Sequence, residues 1–508
     1  LDTGTYIFTL TVIDDSGATD SATVTIIVNP PKRMGTINNP IADAGNDTTI
    51  VMPINSVALD GSKTAEENTG GYIFYGWTKI SGPQQGTIVS PGSPVTQAQG
   101  LVVGTYYFQL TVHINSGSAT ASDTIKVTVL PDPVQPGNLP YTANTYVPAY
   151  TNMFQYGTNT GYFPGWADTG IAGVALQAGA HSIRLPLPDY FVGHYGYDIR
   201  LSAFNYYTHQ LGMKDITLFV GEPRPEYNDD SIYAPATQPS KVFANLYKPI
   251  WDNGENGTPV NDSNYFAVYI YNLVQRYGKD IKFWEIVNEP DATGFWDNGN
   301  PNRPDSWLNA PPSPASLLNL RAPIFYYIRM LRIAYEVIKK YYPDSYVCPG
   351  GIGYTAFLDA LLRYTDNPDS GKVTPAYPLT GGAYMDAISF HCYPAYSLSA
   401  WDGSTGSFKW SRYSDRAADA IIDAKNSFDS VLYKYSYNGI THPKKLFIVT
   451  ETNIPSKTFG TYFGSVDAQK NFVIKALVKS QENDIKQLYL YIIANVESDP
   501  NPGPYDYM

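Results

Sequence analysis

The sequence predicts a multidomain protein, with an N-terminal all-β sandwich region and a C-terminal (β/α)8 barrel. Three observations predict this fold class: short alternating β runs through the first 131 residues, an internal repeat within them, and alternating strand and helix patterns from about residue 150 onward. The length of 508 residues is enough for about three or four domains.

An internal repeat divides the first region. The run at residues 4–12 (GTYIFTLTV) returns at 104–112 (GTYYFQLTV), a spacing of 100 residues, and a Ser-Gly turn and an alternating strand follow each copy. A spacing of about 100 residues is the size of one β-sandwich module. We therefore expect residues 1–30 to be the last two strands of a module whose start is missing, and residues 39–131 to be a complete module.

The complete module resembles the polycystic-kidney-disease (PKD) type of immunoglobulin-like repeat of secreted bacterial enzymes and surface proteins. The resemblance rests on residues 43–47 (DAGND), 59–62 (LDGS), 75–77 (YGW) and 80–83 (ISGP). It implies an immunoglobulin-like sandwich with Trp77 in its core. Two roles are open, a carbohydrate-binding surface and a spacer, and we favour the spacer because the sequence identifies no exposed aromatic row. Residues 132–148 form a Pro-rich linker that we expect to be extended.

Residues 149–508 alternate between short apolar runs and helical patterns, as βα units do. The predicted strands are 152–158, 181–187, 215–221, 281–289, 345–351, 385–393, 445–452 and 486–494. The predicted helices are 167–179, 198–212, 262–279, 322–342, 355–364, 413–435 and 465–484. Eight strands with seven intervening helices predict a (β/α)8 (TIM) barrel, and the end of the chain soon after the eighth strand indicates that the last helix is absent.

Charge and composition narrow the possible partners. With 34 Lys and Arg against 46 Asp and Glu, the net charge of −12 argues against binding nucleic acid or an anionic membrane. No apolar run approaches the roughly 18 residues of a membrane span, so we expect no membrane insertion. The 43 tyrosines raise the aromatic content to 14%, and such rings suit stacking on sugars. The only cysteines, Cys348 and Cys392, lie in adjacent predicted strands, where a single disulfide is possible, but we favour two buried free thiols.

Two carboxylates stand where predicted barrel strands meet polar loops. Glu289 ends the fourth strand and Glu451 ends the seventh, and burying either is costly unless it is paired or used. The carboxyl ends of barrel strands form the active-site face, so the two side chains can converge there. Hydrolysis of a glycosidic bond requires such a pair, one acid to protonate the leaving oxygen and one carboxylate to attack or activate water. On spacing alone, structural ion pairing is an equally good explanation.

At these positions the sequence resembles glycoside hydrolase clan A, the retaining (β/α)8 hydrolases. The resemblance rests on the run WEIVNEP at 284–290 and on Glu451, and it covers roughly residues 150–500. It implies that Glu289 is the general acid/base, that Glu451 is the nucleophile, and that Asn288 donates a hydrogen bond to the sugar 2-hydroxyl.

Other positions match the same clan. Arg184 resembles the strand-two arginine that holds the nucleophile, and His391 and Tyr393 resemble the strand-six pair lining the cleft, with Tyr393 bonded to the nucleophile. The sequence departs from the clan at residues 490–497 (LYIIANVE), where many members have a tryptophan platform under the sugar. Trp401 or Trp410 could supply a platform from another loop.

Electrostatics gives each carboxylate an expected state. A positive neighbour such as Arg184 would keep Glu451 ionised for attack, and the charge of Glu451 would raise the pKa of Glu289 so that it stays protonated. Glu285 lies roughly 13 Å deeper than Glu289 at about 3.3 Å per residue, so we expect a satisfied buried acid. Glu222, after the third strand, could bind sugar hydroxyls or form a loop salt bridge.

Two long predicted loops, residues 222–260 and 291–320, follow the third and fourth strands and carry Trp251, Trp296 and Trp307. Aromatic loops on the active-site face predict the walls of an extended cleft, with ordinary loop packing as the alternative. The remaining histidines form no metal-spaced cluster, so we predict no catalytic metal and no cofactor.

The residues and the resemblance predict a secreted or cell-surface retaining glycoside hydrolase. We expect a monomer that acts as an endo-β-glycanase on a polysaccharide or oligosaccharide, by double displacement through two glutamates. The alternative is a non-catalytic carbohydrate-binding or adhesive surface protein on a degenerate barrel. A third possibility is a barrel enzyme of other chemistry, such as a lyase or a metal-dependent isomerase, which the lack of metal ligands disfavours.

Overall fold

The computed structural model forms two compact units, Leu1–Gln135 and Pro136–Met508. It describes residues 4–13, 17–28, 40–51, 54–64, 72–102, 104–114, 119–130, 142–160, 168–252, 254, 257–294, 298–460, 462–493 and 508. Most of the predicted linker, residues 132–141, lies outside the described residues. Among the described residues, none of the helices combines the length and the hydropathy that crossing a membrane requires.

The N-terminal unit begins with an antiparallel hairpin, and the complete module follows as two sheets. The hairpin pairs β1 (Gly4–Ile13) with β2 (Thr19–Val28), and most of its side chains are exposed. One sheet has the order β3-β9-β8-β5 and the other has the order β4-β7-β6. Their strands are β3 (Thr48–Val51), β4 (Val57–Asp60), β5 (Ile73–Ser81), β6 (Thr87–Ile88), β7 (Val95–Gln99), β8 (Gly104–Ile114) and β9 (Ala119–Leu130).

The core of this sandwich contains Trp77, as the sequence predicts. Trp77 is buried, and its indole N–H donates to the carbonyl of Ser93 at 3.2 Å, so its single polar atom is satisfied. Along β8, alternate residues such as Phe108 and Leu110 point inward, which is the period-two pattern of a strand with one buried face.

The C-terminal unit is an eight-stranded parallel barrel with helices around it. Its sheet runs in the order β14-β13-β12-β11-β10-β21-β18-β15, and a bridge between Ile352 and Phe390 joins the two ends. The barrel strands are β10 (Gln155–Asn159), β11 (Ser182–Pro186), β12 (Ile216–Val220), β13 (Ile281–Ile286), β14 (Tyr346–Pro349), β15 (Ala387–Cys392), β18 (Leu446–Thr452) and β21 (Ile485–Leu490).

Helices follow each of the first seven barrel strands, and two small hairpins lie in the loops after β15 and β18. The helices are α1 (Asp168–Gln177), α2 (Asp189–Tyr195), α3 (Leu201–Asn205), α4 (Tyr265–Tyr277), α5 (Ile324–Tyr341), α6 (Thr355–Arg363), α7 (Asp415–Lys434) and α8 (Val466–Glu482). The hairpins are β16 (Ser399–Asp402) with β17 (Ser407–Trp410), and β19 (Lys457–Phe459) with β20 (Tyr462–Ser465). Helix α5 buries an apolar stripe against the sheet and keeps its last-turn lysines, Lys339 and Lys340, near its C-terminus.

Every predicted barrel strand is present, but β13 is shorter than predicted. The strand ends at Ile286 rather than at residue 289, because Val287 and Glu289 adopt φ angles of 62° and 47°, outside the β region. The predicted helix at 198–212 consists of α3 and a π-helical turn, Tyr206–Gln210. The expected absence of a last helix concerns residues after Ile493, and residues 494–507 lie outside the described residues.

Candidate active site

Glu451 lies near the carboxyl end of β18, where the buried strand opens onto the barrel mouth. The residue is buried, with 8% of its surface exposed. Arg184 of β11 donates from Nη1 to Oε1 of Glu451 at 2.6 Å, and the hydroxyl of Tyr393 donates to Oε2. Both oxygens of this carboxylate therefore have a donor, and one of the two donors is a cation.

Arg184 connects the seventh strand to three other barrel strands. Its Nε donates to Glu285 at 2.5 Å, Nη1 also reaches Asn159 at 2.8 Å, and Nη2 reaches Asn288 at 2.6 Å. Burial opposes the charge on this guanidinium, but Glu285 and Glu451 outweigh burial and raise the pKa of Arg184. Glu285 is buried and pairs with Arg184 through Oε2, but its buried Oε1 has no hydrogen-bond partner among the described residues, so the expectation of a satisfied buried acid holds for one oxygen only.

Glu289 lies three residues beyond the end of β13, on a strained turn. A β-branched residue at positive φ, such as Val287, is a genuine backbone outlier, and such residues cost about 1–3 kcal/mol each. The backbone N–H of Glu289 donates to the carbonyl of Gly350 at 2.6 Å. A Cβ on Gly350 would lie 1.3 Å from the carbonyl oxygen of Val287, so only glycine fits beside this turn.

His391 lies between the two glutamates. Its Nδ1 is 2.8 Å from Oε1 of Glu289 and 3.6 Å from Oε2 of Glu451. Its buried Nε2 has no hydrogen-bond partner among the described residues and faces Gly351, where an added Cβ would lie 2.0 Å from it. An unpartnered lone pair costs less than an unpartnered N–H, so we assign the hydrogen to Nδ1, which then donates to Glu289.

The pKa of Glu289 differs from the sequence expectation. We expect from the sequence that the charge of Glu451 raises this pKa; in the structure it is lowered. Burial alone would raise it, but the hydrogen bond and charge of His391, with a contribution from Arg184, reverse the direction. The pKa of His391 is raised above its usual 6.5. Burial alone would lower it, but the negative charge of Glu451 and the hydrogen bond to Glu289 outweigh burial.

The three side chains at the centre of the site are close enough to act on one atom. One oxygen of Glu289, one oxygen of Glu451 and a ring nitrogen of His391 all lie within 4.8 Å of one another. Two carboxylates and a histidine are also a possible donor set for a divalent metal. However, Arg184 already places a positive charge on Glu451, which opposes a metal ion there. The prediction of no catalytic metal stays a prediction.

Asp291, two residues after Glu289, accepts hydrogen bonds from the backbone just before α6. It is buried, and its Oδ2 accepts hydrogen bonds from the backbone N–H groups of Gly353 and Tyr354, both at 2.8 Å. These groups lie at the start of α6, so Asp291 ties the loop after β13 to that helix. Burial raises the pKa of Asp291 to about 7, although the two N–H groups oppose the shift.

The remaining predicted site residues fall into different places. Glu222 lines a cavity of about 390 Å³ together with Asn288. Trp251 is not in the cleft: it is buried, and its indole N–H donates to Glu336 of α5 at 3.2 Å. Trp401 lies on β16 with 61% of its surface exposed. Trp296 lies outside the described residues.

Sequence reasoning missed two residues beside the two glutamates and their partners. Asn159, at the end of β10, accepts from Arg184 and donates to the carbonyl of Thr450 at 2.9 Å. Tyr491 follows β21 and packs edge-on against Tyr393, with ring centroids 6.0 Å apart. Both are polar or aromatic residues at the carboxyl end of a predicted strand, and that position was the available signal.

Fold and site together define a protein in two parts: a PKD-type β-sandwich module, and a parallel eight-stranded barrel with two glutamates, an arginine, a histidine and a tyrosine at its mouth. Residues 44–129 match a family model for the PKD domain of KIAA0319-like proteins. The human dyslexia-associated protein KIAA0319 is 36% identical over 125 residues, which is 24% of this chain and 11% of that protein. The chain thus spans about a tenth of the length of the curated relatives it matches.

Solved structures similar to the barrel include glycoside hydrolases. A family 39 glycoside hydrolase from the gut symbiont Bacteroides cellulosilyticus is 13% identical, covers 92% of this chain and 77% of its own, and has a TM-score of 0.40. A β-1,3-glucanosyltransferase from Rhizomucor miehei is also 13% identical, covers 70% of this chain and 91% of its own, and has a TM-score of 0.38. The activity of this chain has to be inferred from its own residues.

Proposed function

We propose that the barrel unit is a retaining glycoside hydrolase that cleaves a β-linked polysaccharide or oligosaccharide. The observation that carries this proposal is the carboxylate separation: an oxygen of Glu289 and an oxygen of Glu451 lie within 4.8 Å of each other. Retaining hydrolases hold their carboxyl groups about 5–5.5 Å apart, whereas inverting hydrolases hold them about 6.5–9.5 Å apart to admit a water molecule.

Glu451 is the nucleophile in this mechanism. Its carboxylate attacks the anomeric carbon while the bond to the leaving oxygen breaks, and a glycosyl ester forms. Arg184 on Oε1 and Tyr393 on Oε2 hold the carboxylate in one orientation before the attack. The other acceptors of Arg184, on β10, β13 and the loop after β13, fix the guanidinium in turn.

Glu289 is the general acid and then the general base. Its side chain is 40% exposed in the free protein, so a bound sugar would cover it, exclude water and raise its pKa, which favours uptake of a proton. Nδ1–H of His391 fixes Oε1, which leaves Oε2 to carry that proton to the leaving oxygen. In the second step Glu289 takes a proton from water, the hydroxyl attacks the anomeric carbon, and Glu451 leaves.

The sugar next to Glu451 needs an apolar surface beneath it, and Tyr491 is the residue we propose for that role. It follows β21 directly and contacts Tyr393, which is itself bonded to the nucleophile. An aromatic ring offers a flat apolar face to the C–H face of a pyranose. Tyr491 would thereby replace the tryptophan platform of the clan, and the exposed Trp401 and Trp410 would be free to contact more distant parts of a chain.

The proposal is tested by measuring reducing-sugar release from a panel of β-linked polysaccharides: cellulose derivatives, xylan, mannan, β-1,3-glucan and β-1,4-galactan. Proton NMR of the first product formed gives the anomeric configuration, and we expect retention. An inverted product would contradict the mechanism, and binding without hydrolysis would favour the carbohydrate-binding alternative. Activity should survive EDTA, and loss of activity that only added metal restores would favour a metal-dependent enzyme.

A secreted or cell-surface location belongs to the same proposal. The PKD-type module, which resembles modules of secreted enzymes and surface proteins, supports it, as does a polymeric substrate that is too large to enter a cell. We further propose that the chain acts as a monomer and that the sandwich serves as a spacer. Sedimentation of the purified chain tests whether it is a monomer. Fractionation of expressing cells tests the secreted or cell-surface location.

A further inference from the structure

A polar cavity opens beside the catalytic pair, on the side of the loops after β11, β12 and β13. Its volume is about 390 Å³, within the roughly 300–1,000 Å³ of small-molecule sites. The residues that line it are Tyr190, Glu222, Pro223, Asn228, Lys241, Val287, Asn288 and Asn319. Because Asn288 lines the cavity and directly precedes Glu289, the cavity lies next to the proposed site of cleavage.

Two opposite charges face this cavity without neutralising each other. Among the described residues, no carboxylate lies within ion-pair distance of the Lys241 ammonium, and the Glu222 carboxylate accepts no hydrogen bond from a protein donor. The two charges are nevertheless close enough to affect each other. Partial desolvation raises the pKa of Glu222, and the positive charge of Lys241 partly offsets that rise. A cation and an anion held apart across a cavity leave room for a neutral group that can both accept and donate hydrogen bonds.

The side-chain amides of Asn288 and Asn319 already form hydrogen bonds within the protein, and only their remaining polar atoms are available to a ligand. Asn288 accepts from Arg184 through Oδ1, so its NH2 group remains for the cavity. Asn319 uses its NH2 group on the carbonyls of Asn288 and Glu289, at 3.2 and 3.1 Å, so its Oδ1 remains. The cavity therefore presents donors and acceptors in similar number.

One wall of the cavity is apolar. Tyr190 of α2 has 50% of its surface exposed and offers a flat ring, and Pro223 and Val287 add aliphatic surface. A pyranose has the matching character, with hydroxyls around its edge and C–H groups on its faces. Lys241 and Glu222 are both exposed to water in the free protein, so a ligand of either charge would attract one of them and repel the other, whereas a neutral sugar can bond to both.

We propose that this cavity binds a second, neutral sugar unit of the substrate chain, next to the unit that is cleaved, with Lys241 and Glu222 bonding its hydroxyls. This inference rests on the proposed glycoside hydrolase function and deepens it. The preferred substrate is then an oligosaccharide or polysaccharide of uncharged sugars, rather than a single glycoside.

The decisive variant is Lys241→Met, which keeps the aliphatic stem and removes the ammonium. Its matched control is Lys214→Met, because Lys214 is exposed just before β12, at the opposite end of the barrel strand. The full-length protein and both variants are compared on linear cello-, xylo- and manno-oligosaccharides of two to six units. The measured quantity is kcat/KM as a function of chain length.

We expect the wild type to show one large step in kcat/KM on adding the unit that fills the cavity. A hydrogen bond to a charged group contributes about 1.5–3 kcal/mol, so Lys241→Met should reduce that step by roughly tenfold to a hundredfold. Lys214→Met should keep the whole step. An equal step in all three proteins, or a preference for oligosaccharides of uronic acids tested alongside, would overturn the proposal.

A binding measurement separates this proposal from the proposed function. Calorimetric titration of the Glu451→Gln variant with the same oligosaccharides reports affinity without turnover. Should the wild type cleave none of them, weaker binding on adding Lys241→Met, but not Lys214→Met, would still support a sugar site in the cavity. Absence of binding by every oligosaccharide, or equal affinity in the two double variants, would reject it.

Discussion

At the scale of single residues, the site separates two glutamates by their neighbours. Glu451 is bonded to a buried arginine and a tyrosine, whereas Glu289 is bonded to a histidine and remains 40% exposed at the side chain. The first environment fixes both oxygens of Glu451 with hydrogen bonds. The second allows the carboxyl to change its protonation when a ligand covers it. Identical side chains can therefore perform different steps, and kinetics should distinguish them.

The two glutamine variants should differ in how they depend on the leaving group. Glu451→Gln removes the nucleophile, so hydrolysis should fall by about 10⁴-fold or more for every substrate. Glu289→Gln removes the acid, which is worth about 10²–10⁴-fold for a poor leaving group and little for 2,4-dinitrophenolate, which departs without a proton. Rates on aryl glycosides of graded leaving-group pKa measure this. Glu226→Gln, an exposed residue of the same type, is the control, and equal losses of Glu289→Gln on all substrates would contradict the assignment.

His391 should control the pH at which activity declines. Glu289 must be protonated to donate, so activity falls as the pH rises through its pKa. Because His391 lowers that pKa, His391→Asn should raise it and move the basic limb of the kcat profile, which reports the substrate complex, to higher pH. Loss of the charged hydrogen bond should also reduce kcat by about ten- to a hundredfold. A basic limb that stays in place, measured from pH 4 to 10, would mean that another group sets it.

The residue-level site could be predicted only in part from the sequence. Asn288 and Glu289 stand in a run specific enough to give their positions. Arg184, His391, Tyr393 and Glu451 occupy matching positions on other strands or next to them. The direction in which the pKa of Glu289 shifts could not be predicted from the sequence, because it depends on which glutamate Nδ1 of His391 faces. Trp251 carried no signal for its orientation, since a loop residue can face the cleft or, as here, an outer helix.

At the scale of elements, Arg184 joins strands that are distant in sequence. It bonds to Asn159 of β10, Glu285 of β13 and Glu451 of β18 from its own position on β11. The apolar runs made all eight strands predictable. The end of β13 was not, because the positive φ of Val287 depends on the close approach of Gly350 from β14, a contact between strands that no local pattern encodes.

Removing the arginine should destabilise the barrel strongly. Arg184→Met leaves two buried carboxylates without their cation, and breaking a buried pair costs about 3–5 kcal/mol. The matched control is Arg303→Met, whose ion pair with Asp305 is exposed to water and should contribute little to stability. Urea unfolding followed by tryptophan fluorescence gives both free energies. A loss for Arg184→Met no larger than that of the control would refute the structural role.

Asp291 should make the stability of the barrel depend on pH. Its pKa is about 7 in the folded protein against 3.8 for the free side chain, so the folded state binds more protons between these values. The stabilisation is complete below pH 3.8 and is lost as the pH rises through 7. At about 1.4 kcal/mol per pH unit, the wild type should lose about 3 kcal/mol more than Asp291→Asn between pH 5 and 8. Urea unfolding at each pH tests this, with Asp262→Asn on an exposed turn as the control; parallel curves for wild type and Asp291→Asn would contradict it.

At the scale of the whole molecule, the described residues give each of the two units a hydrophobic core of its own. Trp77 and Phe108 belong to the sandwich core, whereas Phe472 of α8 packs in the core between the barrel and its helices. A domain with its own core can unfold on its own, so the chain should show two heat-unfolding transitions rather than one. The 100-residue repeat made this division visible in the sequence, since it marks the length of one module before the βα pattern begins.

One substitution in each core should lower the unfolding temperature of its own unit and leave that of the other unit unchanged. Trp77→Ala removes a large buried ring and should cost the sandwich about 3–5 kcal/mol, and Phe472→Ala should cost the barrel a similar amount. In differential scanning calorimetry, Trp77→Ala should lower only the sandwich transition and leave hydrolysis of soluble oligosaccharides at the wild-type rate. Phe472→Ala should lower the barrel transition together with the temperature at which activity is lost. If Trp77→Ala also shifted the barrel transition, the sandwich would be contributing to the stability of the barrel, and its role as a spacer would be wrong.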